Sequence, residues 1–412
     1  MPSPPDSAVG LHVLRLCSVF EPAPADDPAA AGLTARFDPI GGMQNHTAAL
    51  TRCLDAQGHR QTVLTSRLAG PRSATRVGRS AVVHRGGLPV ARLRQLWALT
   101  ALPRALRTQG RAPVDLVHAH QGEDLATLLL ARLAARRHRC PLVVTVHCSV
   151  GHTLRGSSLR ARLLRSLGGR LERDTLRRAA AVVVLTPRSA AAVQSDGVPD
   201  ERISVVPSGF EPSLFASARP ADGDRATRPR IGYVGRLAAQ KQVDVLVRAF
   251  GAMRGPADLV LVGDGPERHR VARLVEGNPA VDRISLTGFV PHTEVPALLA
   301  SLDVLALPSA YEEMGSVLVE AMVSGLPVVA SDVGGIPDVV RHGETGLLVP
   351  PGDVPALTAA LDRLVADAGL RARLAAGARA RSHDYSWPHL AARVAEVYRE
   401  VLAPADQRAA VA

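Results

Sequence analysis

Short, nearly continuous apolar runs recur along the chain, and each is followed by a longer segment with the apolar spacing of a helix. Strands covered by helices on both faces of a parallel sheet have this composition. Strands that alternate with helices predict doubly wound α/β units. The predicted strands are Leu11–Leu16, Gln61–Thr65, Leu116–Ala119, Leu142–His147 and Ala181–Leu185, then Arg230–Val234, Leu259–Val262, Ile284–Thr287, Val304–Leu307 and Pro327–Ala330.

The pattern occurs twice, and 412 residues with 46% hydrophobic content suffice for two cores. We therefore expect an α/β protein of two Rossmann-like domains that face each other across a cleft. Residues 1–9 are expected to be disordered, 10–206 to form one domain and 230–385 the other. A Pro-, Ala-, Ser- and Asp-rich linker, 207–229, joins them, and 386–412 form a terminal helix and tail.

The compartment is predicted from features that the sequence lacks. No apolar run reaches the roughly 18–20 residues that span a bilayer, and the first residues lack the pattern of a secretory signal. The four cysteines have no paired spacing. We expect a cytoplasmic protein with buried thiols; a metal cluster of Cys140 and Cys148 with His138 and His147 is the less favoured alternative.

The net charge of +11 is concentrated in one region, because 18 arginines and five acidic residues lie between Arg85 and Arg178. A basic half is typical of proteins with an anionic partner. However, these arginines alternate with alanine and leucine at helical spacing, which is typical of solvated helix faces. With 3% aromatic residues, the chain has few stacking platforms for single-stranded nucleic acid. No nucleic-acid partner is expected.

Glycine-rich turns follow the first strand of each half. Gly41 and Gly42 precede a helix predicted from Thr47 to Leu54, and a helix N-terminus after glycine favours an anion. In the second half, a strand runs into Gly235-Arg236-Leu237, with Lys241 close behind. Lys241 is the sole lysine of the chain, which suggests a point-charge contact to phosphate. The absence of GxGxxG from the first strand-to-helix turn argues against an NAD-dependent enzyme.

Two carboxylates follow a later strand of the second half. Glu312 and Glu320 are eight residues apart, across a loop containing Gly315 and the first turns of a helix. Both could therefore face one cleft. Carboxylates are good acceptors for vicinal sugar hydroxyls.

The order of these motifs resembles the retaining glycosyltransferases of family 4, which have the GT-B fold. The resemblance covers about residues 10–390 and is carried by GGM, the His147 strand, PSGFE, GRLxxxK, LVGDGP, E-x7-E, SGLPVVASDVGG and GETGLLV. The segments FDPIGGMQNHT and TVHCS are similar to aminoglycoside-antibiotic and mycothiol-pathway transferases. The resemblance implies transfer of a sugar from a nucleotide sugar, most often a UDP-sugar.

The resemblance also implies the donor site, on the second domain. Arg236 and Lys241 would bind the diphosphate, with the backbone amide of Gly42 from the first domain. Glu320 would hydrogen-bond the ribose. The last segment, 386–412, would pack back on the first domain.

Residues around the transferred sugar follow from the same resemblance. Glu312 would hold its hydroxyls, with the backbone amides of Met314, Gly315 and Ser316 nearby, and His147 would lie beside the anomeric centre. His147 could alternatively be a satisfied histidine at the end of a buried strand. The implied catalytic residues are His147, Arg236, Lys241 and Glu312.

The implied mechanism is front-side attack, in which the leaving diphosphate takes the proton of the acceptor. The two cations would stabilise the leaving group, so neither a metal nor another cofactor is expected. Asp222-Gly223-Asp224 resembles a metal-binding motif, but it lies in the predicted linker. A metal pair of His118 and His120 is a less favoured alternative.

The first domain is expected to bind the acceptor. Its candidate residues are Asp38, Gln44, Asn45, Glu123 and Asp124. The carboxylates would suit the amino groups of an aminocyclitol or aminoglycoside, so we expect a small-molecule acceptor in antibiotic biosynthesis.

Alternatives remain open at this point. The basic stretch Arg155–Arg178 could lie on an anionic membrane, with a lipid or polysaccharide precursor as acceptor, although its apolar side carries mainly leucine. A nucleotide-sugar epimerase would share the fold. A glycan phosphorylase would need a lysine for pyridoxal phosphate, and only Lys241 is available.

Overall fold

The computed structural model describes residues 10–21, 42–67, 72–88, 96–107, 113–122, 124–148, 159–216 and 228–404. In these residues the chain forms two sheets with helices on their faces. The strands of the first half are β1 (His12–Cys17), β2 (Arg60–Ser66), β3 (Ser73–Val77), β4 (Ala81–Gly86), β5 (Leu116–Gln121), β6 (Leu142–Val146), β7 (Ala181–Val184) and β8 (Ile203–Val205). Its helices are α1 (Gly42–Ala56), α2 (Trp97–Leu106), α3 (Leu125–His138), α4 (Leu159–Arg178), α5 (Pro187–Ser195) and α6 (Pro212–Ala216).

The second half repeats the alternation of strand and helix. Its strands are β9 (Arg230–Val234), β10 (Asp258–Val262), β11 (Ile284–Gly288), β12 (Val304–Leu307), β13 (Val328–Ser331) and β14 (Gly346–Val349). Its helices are α7 (Val243–Gly251), α8 (Arg268–Glu276), α9 (Val295–Ala300), α10 (Ser316–Ser324), α11 (Ile336–Val339), α12 (Val354–Ala366), α13 (Ala368–Ser382) and α14 (Trp387–Leu402).

Both sheets have doubly wound topology. The first has the order β3-β4-β2-β1-β5-β6-β7-β8, with only β3 antiparallel to its neighbour in the described part of the chain. The second has the order β11-β10-β9-β12-β13-β14 and is parallel throughout. In each sheet the first strand of the half lies inside, and the chain winds outward from it in both directions. This order creates a switch point where ligands bind.

The ten predicted strands coincide with observed strands, with ends displaced by at most two residues. Four strands were missed. Ser73–Val77 is a half-exposed edge strand, Ala81–Gly86 alternates between buried and half-buried residues, Ile203–Val205 has three residues, and Gly346–Val349 begins at a glycine. The helix predicted from Thr47 begins earlier, at Gly42.

The last helix joins the two halves. Residues of α14, including Trp387 and Leu390, are buried in one cluster with Leu50 of α1 and Val13 of β1. The start of this helix is fixed to the linker region, where Trp387 donates its backbone N–H to the carbonyl of Phe210 at 3.0 Å. Linker residues 217–227, with the Asp222–Asp224 motif, lie outside the described residues, as do 1–9.

Candidate functional site

A cleft of about 420 Å³ lies between the two sheets. Its walls are the turns that follow the carboxyl ends of the strands. Ser18, Gly122 and His147 follow β1, β5 and β6, and Gly235 and Gly263 follow β9 and β10. The sheet topology therefore places residues from both halves around one space, where parallel α/β sheets bind ligands.

The turn after β9 places two cations in this cleft. Arg236 is exposed and makes no ion pair within the described residues, so its guanidinium is available to a ligand. Lys241 ends a short 3₁₀ turn and pairs through Nζ with Oε1 of Glu312. Ser309 donates to the same oxygen at 3.0 Å. Lys241 and Glu312 thus form a largely buried ion pair that borders the cleft.

Two glycines allow close backbone contacts beside these charged residues, one at the turn after β9 and one at the Glu312 loop. Gly263 has φ +137°, and a Cβ there would lie 1.8 Å from the carbonyl oxygen of Gly235. Gly334 has φ +59°, and a Cβ there would lie 1.8 Å from the carbonyl oxygen of Glu312. That carbonyl also accepts the N–H of Gly335 at 3.0 Å. Gly334 and Gly335 therefore brace the Glu312 loop, which is a structural role.

Two helix N-termini meet across the cleft. A Cβ on Gly42, at the start of α1, would lie 3.1 Å from Oγ of Ser316, at the start of α10. Neither helix has an acidic residue in its first turn, and Gly315 caps α10 without a side-chain hydrogen bond. The first N–H groups of a helix lack intrahelical partners, and the helix dipole adds positive charge there. Together with Arg236, the two ends have the charge and the free N–H groups that suit an anion.

The second carboxylate, Glu320, lies on α10 at another side of the cleft and is 7% exposed. Its Oε1 pairs with Nε2 of His292 at 3.0 Å. Burial acts to lower the pKa of His292, but the hydrogen bond and negative charge of Glu320 outweigh it, so the pKa lies above its usual range. A second cavity, of about 440 Å³, adjoins the first and shares this pair with it.

The wall from the first half has a different character. His147 follows β6, is 8% exposed and borders the cleft. Its Nε2 lies 3.1 Å from Nδ1 of His120, whose Nε2 lies 2.6 Å from the guanidinium of Arg15 on β1. Burial, and secondarily the charge of Arg15, lowers the pKa of His147 to about 3. His147 is therefore neutral at physiological pH.

Of the five residues predicted for the acceptor, two border the cleft. Gln44 and Asn45 lie in the first turn of α1 and contribute to its wall. Asp38 and Glu123 lie outside the described residues.

Asp124 does not reach the cleft. It is 3% exposed and caps α3, accepting the N–H of Ala126, the hydroxyl of Thr127 and the indole N–H of Trp97, each at 2.8 Å. This network uses both carboxylate oxygens, so the assignment of Asp124 to the acceptor is replaced by a structural role. Within the described part of the chain, the acids that border the cleft all come from the second half, namely Asp264, Glu312, Glu313 and Glu320.

Sequence comparison gives the family. The model for Glycosyltransferase Family 4 matches residues 40–214, and that for Glycosyl transferases group 1 matches 216–381. A 2-deoxystreptamine glucosyltransferase from Streptomyces kanamyceticus is 34% identical over 384 residues, covering 87% of this chain and 99% of the relative. The chain belongs to the family 4 glycosyltransferases.

Other members agree with this assignment. A 2-deoxystreptamine N-acetyl-D-glucosaminyltransferase from Streptomyces fradiae is 36% identical over 87% of this chain and 89% of the relative. A D-inositol 3-phosphate glycosyltransferase from Acidothermus cellulolyticus is 33% identical over 70% of this chain and 68% of the relative. The predicted family resemblance is confirmed, and this family 4 protein is a glycosyltransferase.

Solved structures confirm the GT-B fold of this glycosyltransferase. Sucrose-phosphate synthase from Thermosynechococcus elongatus has a TM-score of 0.78 at 24% identity, covering 95% of this chain and 99% of the neighbour. Anabaena HepE in complex with UDP and glucose has a TM-score of 0.70 at 21% identity, covering 94% and 98%.

The alternative metal sites of the sequence analysis find no support in the contacts of the described residues. His118 has both ring nitrogens engaged, with the hydroxyl of Tyr398 at 2.6 Å and that of Thr145 at 2.7 Å. Among the described residues, Cys140, Cys148, His138 and His147 are not brought together in a group that could hold a metal ion. No described helix is long and apolar enough to cross a membrane.

Sequence reasoning missed several residues of the site, among them Arg15, His46 and His292. Arg15 carried a signal, as the one charged residue within the apolar strand His12–Cys17. The other two are ordinary in local sequence. Their importance arises from neighbours that are distant along the chain.

Proposed function

We propose that this glycosyltransferase retains anomeric configuration and moves a sugar from a nucleotide sugar, namely a UDP-sugar, to an aminocyclitol in antibiotic biosynthesis. One observation carries the donor side of the proposal. Arg236, Lys241 and the N-termini of α1 and α10 surround one space in the cleft. A diphosphate fits this concentration of positive charge and free N–H groups.

The donor would lie along the second half. Arg236 and Lys241 bind the diphosphate, and the Gly42 amide approaches it from the first half. Glu320 accepts hydrogen bonds from the ribose hydroxyls, which replace its hydrogen bond with His292. The UDP complex of Anabaena HepE, which has the same fold, is consistent with a UDP donor.

The transferred sugar would lie between the two walls. Glu312 accepts from its hydroxyls, and the amides of Met314, Gly315 and Ser316 donate to it. His147 faces it from the first half. Because Glu312 already accepts from Lys241 and Ser309, its carboxylate is held as a hydrogen-bond acceptor rather than released as a nucleophile.

The chemistry would be a front-side displacement. The acceptor hydroxyl attacks the anomeric carbon on the face that the diphosphate leaves, and the departing phosphate oxygen takes its proton. Arg236 and Lys241 stabilise the negative charge that develops on this oxygen. Because these cations supply that charge, we expect turnover to need no metal. A chelator should leave the rate unchanged.

The acceptor is proposed from the relatives. Two proteins above 30% identity, each matched over most of its length, are named for 2-deoxystreptamine. Gln44 and Asn45 would bind the acceptor from the first half, and the proposed contacts of Asp38 and Glu123 to its amino groups lie outside the described residues. The proposal includes a cytoplasmic reaction, which cell fractionation tests.

The experiment is a panel of nucleotide sugars incubated with 2-deoxystreptamine, or with vesicles of an anionic phospholipid, and analysed by mass spectrometry. We expect one nucleotide sugar to yield a monoglycosylated aminocyclitol, with no glycosylated lipid. Glycosylated lipid alone would overturn the acceptor assignment. Donor isomerised without any acceptor product would overturn the transferase assignment.

A further inference from the structure

Arg15 is a buried cation without a carboxylate partner in the described part of the chain. It is 1% exposed and makes no ion pair with any residue that the structure describes. Its guanidinium instead donates to neutral oxygens, among them Oγ1 of Thr51 at 2.5 Å and Oε1 of Gln61 at 3.2 Å. Burying an unpaired charge is costly, so a protein that keeps one gains something from it.

One acceptor of Arg15 is a nitrogen. The guanidinium lies 2.6 Å from Nε2 of His120. Arginine has only donors and stays protonated, so this ring nitrogen must be unprotonated. The proton of neutral His120 is therefore on Nδ1.

The same reasoning extends one residue further. Nδ1 of His120 lies 3.1 Å from Nε2 of His147. Since Nδ1 of His120 is the donor, Nε2 of His147 is the acceptor. The proton of neutral His147 is then on Nδ1, which has no partner among the described residues, at the residue that borders the cleft.

Neighbouring rings hold His147 in this orientation. His46 packs edge-on against it, with centroids 4.5 Å apart, and against Trp387 on the other side at 4.6 Å. His46 is fixed in turn by Oγ of Ser208, 3.3 Å from its Nδ1. The ring of His147 is thus held both by a hydrogen bond and by packing.

A metal is the other use for such a cluster. Nitrogens of His46, His120 and His147 lie within 4.8 Å of one another. However, the Arg15 guanidinium occupies Nε2 of His120, and a divalent cation at this place would add to an unpaired buried charge. The geometry favours a chain of hydrogen bonds over a metal site.

We propose that Arg15 and His120 are positioning residues that hold His147 in a single neutral tautomer, with its proton on Nδ1. On the proposed function, His147 then serves the reaction as a hydrogen-bond donor to a sugar oxygen in the cleft. It does not serve as a proton acceptor.

The groups that face His147 support this assignment. They are Arg15 from β1, His118 and His120 from β5, and His46 from α1. Burial lowers the pKa of all four histidines, and the charge of Arg15 acts on each in the same direction. None of them gains a proton near neutral pH, so the chain of hydrogen bonds keeps its direction there.

The direct test is NMR of the whole protein labelled with ¹⁵N-histidine, without any substrate. His147→Gln identifies the His147 signals by their loss. We expect Nε2 of His147 to show the shift of an unprotonated nitrogen and Nδ1 that of a protonated one, unchanged between about pH 6 and about pH 8. A proton on Nε2, or a mixture of tautomers, would overturn the proposal whatever the substrate proves to be.

Variants of the chain give the second part of the test. Arg15→Met and His120→Phe should each release His147 into a mixture of tautomers. Turnover should then fall by about tenfold, the effect of one hydrogen bond, while the KM for the donor changes little. His120→Gln retains one donor and one acceptor, and it should restore part of the rate.

The matched control is Tyr398→Phe, which removes a hydrogen bond from His118 in the same cluster but leaves Arg15, His120 and His147 untouched. We expect it to keep the His147 tautomer. Should Arg15→Met fail to fold, the His120 pair of variants decides alone. Stoichiometric binding of Zn²⁺ by the wild-type protein that shifts the His46, His120 and His147 signals together would overturn the proposal in favour of a metal site.

Discussion

The two walls of the cleft carry their positive charge in opposite ways. On the second half, Lys241 is paired with Glu312, and Arg236 is exposed to the cleft. On the first half, Arg15 is buried beneath the wall, and a neutral histidine borders the space instead. The second half therefore forms a charged wall, whose cations Arg236 and Lys241 border the cleft. The first half forms a neutral wall, where on our proposal the buried charge of Arg15 serves to orient the hydrogen-bond donor of His147.

This difference matches the demands of glycosyl transfer. On the proposed function the leaving group is a diphosphate, so cations that can contact it directly stabilise the transition state. The transferred sugar is held through its hydroxyls, for which oriented neutral groups suffice. A chain can therefore build one catalytic cleft from two similar domains and give each wall a separate task.

The largest effect is expected for Lys241→Ala. It removes a contact to the leaving group and leaves Glu312 without its cation. The transition state should therefore lose about 2–4 kcal/mol of stabilisation, seen as a lower kcat/KM. Steady-state kinetics measures this. Arg248→Ala is the control, because Arg248 pairs with Asp244 on the surface of α7. Activity of Lys241→Ala within about threefold of wild type would contradict the contact of Lys241 with the leaving group.

Next in size is the effect of Glu320→Ala on nucleotide affinity. Loss of a charged acceptor for the ribose should weaken binding of free UDP by about 1.5–3 kcal/mol, measured by calorimetry. Glu276→Ala, at an exposed acid on α8, should bind UDP like wild type. Equal affinities for the two variants would contradict the placement of the ribose.

A smaller effect, on stability rather than catalysis, is expected for Asp124→Ala. It removes the cap of α3 and leaves the buried indole N–H of Trp97 unpaired, so the free energy of unfolding should fall by about 1–2 kcal/mol in urea titrations. The KM for the acceptor should stay constant. Glu201→Ala, at an exposed acid of the same half, should change neither. A raised acceptor KM with unaltered stability would return Asp124 to the acceptor site.

The smallest effect is a pH dependence of the His292–Glu320 pair. The folded pKa of His292 lies above its ordinary value of 6.5, so its stabilising contribution is full below that pH and is lost as the pH rises through the folded value. Stability of His292→Gln relative to wild type should therefore be lowest at about pH 6 and recover towards about pH 9. Parallel pH profiles of the two proteins would show that the pair does not titrate.

The sequence permitted good prediction where the signal is local. Arg236 and Lys241 lie in one turn after one strand, and the spacing of Glu312 and Glu320 within a loop and helix start brings them to one cleft. The charged wall needed only the knowledge that such turns gather at the carboxyl ends of parallel strands.

The neutral wall depends on sheet order, which the sequence does not display. Arg15, His120 and His147 lie on or after β1, β5 and β6, and these strands become neighbours only because the chain returns past β1 after forming β2 to β4. Asp124 is different, because an Asp directly before the apolar run that starts at Leu125 is a recognisable helix cap. Reading that local signal would have excluded it from the acceptor site.

The stereochemistry of the product tests the proposed retaining transfer most directly. Incubation of the enzyme with its UDP-sugar and 2-deoxystreptamine, followed by proton NMR, reports the anomeric coupling constant of the glycoside as it forms. Retention of configuration predicts an α-glycoside from an α-linked donor, with one UDP released for each glycoside. A β-glycoside, or release of UDP with free sugar and no glycoside, would contradict it.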